Sequence, residues 1–87
     1  MEHAVLSPHD PIEYQLADGA KFEASRIAVL QSEEAAVIRV SGVMQKPGGE
    51  GPVSRILVIQ KEGVVDLKKN LRELVATELT AGNYDIL

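Results

Sequence analysis

His3 and His9, with Asp10 beside the second, are the side chains of this sequence whose chemistry suits a transition metal, because imidazole and carboxylate both ligate zinc and its neighbours. Their spacing matches no known ligand pattern, and Pro8 and Pro11 interrupt the stretch that would have to supply a rigid second shell. Exposed histidines without a metal are the expectation. Beyond Asp10 the chain has no further histidine, and it has no cysteine anywhere. Proton transfer or nucleophilic attack near neutral pH would therefore fall to perturbed Asp, Glu, Lys or Tyr.

Carboxylates pair at Glu33-Glu34 and, in the strand register argued below, at Glu13 across from Glu23. Catalytic carboxylates need a cleft that splits their pKa values, whereas these fall in a turn and on a polar strand face, so solvated surface is expected. Ser7, Ser25, Ser32, Ser41 and Ser54 have no histidine base within reach of any plausible fold. The glycine-rich segment Lys46 to Pro52 invites comparison with phosphate-cradling loops, but those lead into a helix, and a strand pattern follows here. The reading is of a chain that is not an enzyme and carries no cofactor, metal or small-molecule substrate.

Two binding surfaces remain. Arg39 and Arg55 fall on strands joined by the glycine-rich loop, and with Lys46 they would make a basic sheet face for single-stranded nucleic acid, flanked by Lys21, Arg26 and Lys61. Such faces usually add aromatic stacking platforms, and Tyr14 and Phe22 are expected in the core. The apolar alternative joins Leu57 and Ile59, from the run Ile56 to Ile59, with Tyr84, Ile86 and Leu87 at the C-terminal end. Together they offer more apolar surface than one helix covers, which suits a protein interface or assembly of copies of the chain.

These residues must be positioned by a small scaffold. At 87 residues the chain is one domain, able to bury roughly 60–65% of its unfolded surface. Phe22, Tyr14 and Tyr84 are its only aromatic residues, so the core is aliphatic. The net charge of −4 is concentrated in residues 1–25, which hold five acids and one base. That is not the distribution of a uniformly basic nucleic-acid binder. With no disulfide framework, no signal-like segment and no apolar run long enough to span a bilayer, the expected location is cytoplasmic.

Residues 1–11 read as an extended lead-in, and residues 12–87 as a single α+β domain. Ile12, Tyr14 and Leu16 alternate with polar residues, as do Phe22 and Ala24, around Asp18-Gly19. A three-residue loop, Ala17 to Gly19, pairs Leu16 with Ala20, Tyr14 with Phe22 and Ile12 with Ala24, keeping every apolar group on one face. The alternation slips near Ser25 and Arg26, which predicts a bulge, with a short helix over Glu23 to Leu30 as the alternative. A turn at Ser32 to Glu34 leads to a strand carrying Ile38, Val40 and Met44 and interrupted by Gly42. The run at Ile56 to Ile59 predicts a strand covered on both faces or buried at the centre of an assembly, the most buried element. A helix from Val64 to Thr80 follows, with Val64, Leu67, Leu71, Leu74, Val75 and Leu79 in one stripe, Asp66 in its first turn and Gly82 at its C-cap.

The expected fold is an antiparallel sheet of four or five short strands with one C-terminal amphipathic helix packed on one face. Over Arg26 to Leu74 this layout, strands then a helix with a glycine-proline loop before the last strand, resembles the positive-cofactor-four family of single-stranded DNA-binding coactivators. The resemblance rests on element order and implies a dimer that lays a strand onto basic sheet faces through Arg39, Arg55 and Lys46. From the residues themselves, the expected function is a non-enzymatic module that binds a protein partner or its own copies as scaffold, virion-type subunit or inhibitor. Single-stranded nucleic-acid binding is the alternative.

Overall fold

The computed structural model describes residues 2–49, 51–63 and 71–87, with side chains from residue 5 onward. Among the described residues six strands and one helix run in the order β1 (Glu2–Leu6), β2 (Ile12–Gln15), β3 (Lys21–Gln31), β4 (Ala35–Gln45), β5 (Val53–Glu62), α1 (Leu71–Ala81) and β6 (Asp85–Ile86). All pairings are antiparallel in a single sheet ordered β1-β3-β4-β5-β6, and β2 shares the β1 edge of β3. The fold is α+β as expected, with six strands rather than four or five. Five of them precede the helix, and none of the described helix is long and apolar enough to cross a membrane.

The first hairpin has the register the alternation demands, with Ile12 opposite Ala24 and Tyr14 opposite Phe22. Its three-residue loop closes through Leu16 N–H donating to Ala20 O (2.8 Å) and Gly19 N–H to Leu16 O (3.1 Å). Gly19 takes φ +88°, the left-handed position of a type I turn with a bulge, and Asp18 Oδ1 accepts from Ala20 N–H at 3.0 Å.

β3 then continues as strand, which excludes the short helix. The register shifts between Ala24 and Arg26, opposite Gly42 and Ser41, so Ser25 is the extra residue of a bulge. Gly42 does not interrupt β4; it allows the bulged strand to close on it. A Cβ there would overlap the Glu23 carbonyl oxygen and lie 2.9 Å from its carbon. The bulge also separates the two short strands on the β3 edge, β2 beside residues 21–24 and β1 beside residues 27–31. Pro8 and Pro11 fall in the crossing between them, where the ladder is broken in any case.

Part of the N-terminal lead-in is therefore an element. Residues 2–6 form β1, with Leu6 opposite Ile27 and packed against the core. Their stability comes from the far half of β3, a contact distant in sequence that no local period reveals.

The core lies between the sheet and α1. Phe22, Ile27, Val29, Ile38, Val40, Leu57 and Ile59 meet Leu71, Val75 and Leu79, with Tyr14, Leu16 and Met44 at the margins. The β5 run is buried on one side only: Leu57 and Ile59 are fully enclosed, while Ile56 and Val58 are half-buried on the opposite face. It is neither covered on both faces nor the most buried strand, since β3 and β4 lie inside the sheet with longer runs of core positions. Val64, Leu67 and Asp66, the expected helix start, lie outside the described residues.

α1 ends as its sequence predicts. Asn83 N–H donates to Glu78 O (2.9 Å) and Gly82 N–H to Leu79 O (3.3 Å), with Gly82 at φ +82°, the bond pair of a Schellman cap. The chain then returns to β5 within the same molecule: Ile86 pairs with Leu57, Asp85 with Val58, and Leu87 N–H donates to Ile56 O at 2.9 Å.

Candidate functional site

The β4–β5 register determines which side chains share a face, because residues directly opposite in a ladder point the same way. Ile38 faces Ile59 and Val40 faces Leu57, on the helix side. Arg39 faces Val58, Ser41 faces Ile56 and Val37 faces Gln60, on the other. Arg55 is opposite Gly42 in the helix-side series. Arg39 and Arg55 therefore lie on opposite faces, and the basic face expected from Arg39, Lys46 and Arg55 is divided.

Its parts are distributed as follows. Lys46 and Arg55 line a cleft of about 420 Å³ with Met44, Gly49, Gly51, Pro52, Val53 and Ile86. The turn beside it is set by Pro47 and Gly48: Gly49 N–H donates to Lys46 O at 3.1 Å and Gly48 takes φ +68°, as a type II turn requires. Arg39 instead joins Arg26, its diagonal cross-strand neighbour through the pair Arg26–Ser41. Those two arginines, with Ser41, border a second cleft of about 440 Å³ whose apolar lining includes Ala28, Leu30, Val37 and Ile56.

This second cleft belongs to the larger open face of the sheet. Across it run Val5, Ala28, Arg39, Val58 and Asp85 in one row, with Leu30 and Val37 on one side and Arg26, Ser41 and Ile56 on the other. Val5 is 49% and Leu30 43% exposed. α1 lies on the opposite side with the core, and Tyr84 packs there too. Among the described residues neither Arg26 nor Arg39 has an ion-pair partner, whereas Lys21 pairs with Glu13 (3.7 Å) and Lys61 with Glu78 (2.9 Å).

The expected apolar interface is also rearranged. Leu57 and Ile59, at 0% exposure, are core residues under the helix and present nothing to a partner. Tyr84 is half-buried against the core, and burial raises its hydroxyl pKa, with Asp18 adding to the shift. Ile86 and Leu87 remain exposed at the β5 edge. The surface on offer is instead Ile56 and Val58, the alternate residues of the same run. The odd or even length of the β4–β5 loop decides between the two sets, and sequence pattern does not determine it.

The slip at Ser25 was the legible signal for Arg26. Before the bulge Lys21 and Glu23 occupy the open face; after it Arg26, Ala28 and Leu30 do. The remaining chemistry-bearing residues are dispersed. His9 and Asp10 are exposed between β1 and β2, and the side chain of His3 lies outside the described residues. Glu13 and Glu23 are directly opposite and both exposed. Tyr14 has its pKa raised by burial, against a smaller lowering by Arg72, and its hydroxyl donates to Arg72 O at 3.4 Å.

Comparison with models of known protein families, with curated proteins and with solved structures finds no match to this chain.

Proposed function

We propose that this chain is a protein-binding module whose contact surface is the open face of its sheet. The observation that carries this reading is the row of apolar side chains, Val5, Leu30, Val37, Ile56 and Val58, left without a covering layer among the described residues. A sheet in a small domain ordinarily buries one face and solvates the other with polar residues. Here the second face alternates correctly but sets apolar side chains among its polar ones near the middle of the sheet, which favours contact with another protein over exposure to water. Amide NMR with leucine-based amphipathic peptides whose polar sides are neutral, acidic or basic, together with sedimentation across protein concentration, tests the reading. Shifts confined to residues 26–30, 37–41 and 56–58, or self-association broadening the same amides, support it. Neither response, with the fold intact, overturns it.

The second reading, single-stranded nucleic acid, is favoured by one feature: Lys46 and Arg55 converge on one cleft beside the glycine-rich turn. Its test is anisotropy of a labelled oligonucleotide at low and moderate salt, with binding that falls steeply as salt rises and is lost in a Lys46→Ala, Arg55→Ala variant.

A further inference from the structure

Resting on the protein-binding reading, we infer that the open face takes an acidic amphipathic helix, whose apolar side fills the cleft between Arg26 and Arg39 and whose carboxylates pair with both guanidiniums. Among the described residues the sheet is layered by a helix on one side only, and a helix laid across the other side completes a three-layer arrangement. Such a helix spans neighbouring strands and reaches Leu30, Val37, Ile56 and Val58 together.

Covering those residues also covers the arginines among them. A guanidinium withdrawn from water without a counter-charge is strongly unfavourable, and Arg26 and Arg39 have no ion-pair partner among the described residues. The occupant must therefore supply the acids. Carboxylates suit the task because they accept two parallel N–H bonds from one guanidinium.

Charge also argues against the other occupants. A second copy packed face to face about a two-fold at the centre of the sheet sets Arg39 of the central strand against itself, which repels. Glu13, Glu23, Glu62 and Asp85, the acids of this face, lie toward its margins. Single-stranded nucleic acid would bring phosphates, but Tyr14 and Phe22 are in the core and Tyr84 packs against it, so no aromatic platform meets the bases.

The test is an NMR titration of the full chain with three probes: a leucine-glutamate amphipathic peptide of about 15 residues, long enough to hold a helix, its leucine-lysine counterpart, and an oligothymidylate. The glutamate peptide is expected to shift the amides of residues 26–30, 37–41 and 56–58. An Arg26→Gln, Arg39→Gln variant, both positions being exposed, is expected to keep its spectrum and bind this peptide about tenfold or more weakly. Equal binding of the lysine peptide, undiminished binding by the variant, or self-association that occupies the face overturns the acidic partner and leaves protein binding standing. Occupation of the face by the oligonucleotide alone, or no response to any probe, overturns both.

Discussion

Lys61 on β5 donates from Nζ to Oε1 of Glu78 on α1 at 2.9 Å, tying the sheet to the helix across the edge of the core. Glu78 is only 8% exposed and its second oxygen accepts from Asn83 Nδ2 at 3.1 Å, so one carboxylate joins strand, helix and helix cap. The hydrogen bond from Lys61 is the largest influence on its pKa and lowers it; burial opposes, and Asn83 and the Lys61 charge reinforce the lowering.

That direction sets a pH dependence. A carboxyl more acidic folded than unfolded contributes stability above the ordinary Glu range and loses it as pH falls through the lowered folded value. Replacing Glu78→Gln should cost about 1 kcal/mol at neutral pH, a figure kept small because Lys61 is partly solvated. The same change should flatten the acid side of the stability profile. Urea unfolding at a series of pH values checks both, and an unchanged acid limb in the variant would mean that another group carries the dependence.

Gly42 lies against the bulged Glu23–Ala24 segment, where a Cβ has no room and backbone rather than a flexible side chain blocks it. Gly42→Ala should destabilise the fold by about 2–3 kcal/mol, lowering the melting temperature by about 10 °C or more. Thermal unfolding followed by circular dichroism measures it. Gly48→Ala is the contrast: nothing lies near its Cβ, and the strain of its positive φ should cost only about 1 kcal/mol.

Leu57 and Val58 are neighbours in sequence with opposite assignments. Leu57→Ala should cost about 2–4 kcal/mol because it opens a cavity under α1. Val58→Thr, on the open face, should stay within about 1 kcal/mol while weakening any partner that uses that face. Denaturant midpoints of the two variants separate the core from the surface. Equal costs would contradict the register of β5 on β4.

Local chemistry made much of the fold legible. Asp18-Gly19 and the alternation around it determined the first hairpin, the slip at Ser25 announced the bulge, and Gly82 announced the helix cap. Each depends on a few adjacent residues whose backbone preferences allow one solution.

What local pattern could not supply was parity and distance. An apolar run such as Ile56 to Ile59 has no preferred face, so only the pairing of Ile38 with Ile59 decides that Leu57 is core and Val58 is surface. The same pairing sends Arg39 and Arg55 to opposite sides and brings Arg39 to Arg26 instead. β1 exists because the far half of β3 accepts it, and Glu78 is buried because Lys61 meets it from another element. The turns, the bulge and the aliphatic make-up of the core were legible along the chain, since those follow from neighbouring residues. The tertiary structure alone decided the candidate site, because a sheet face is assembled from strands whose register is set by contacts far apart in the chain.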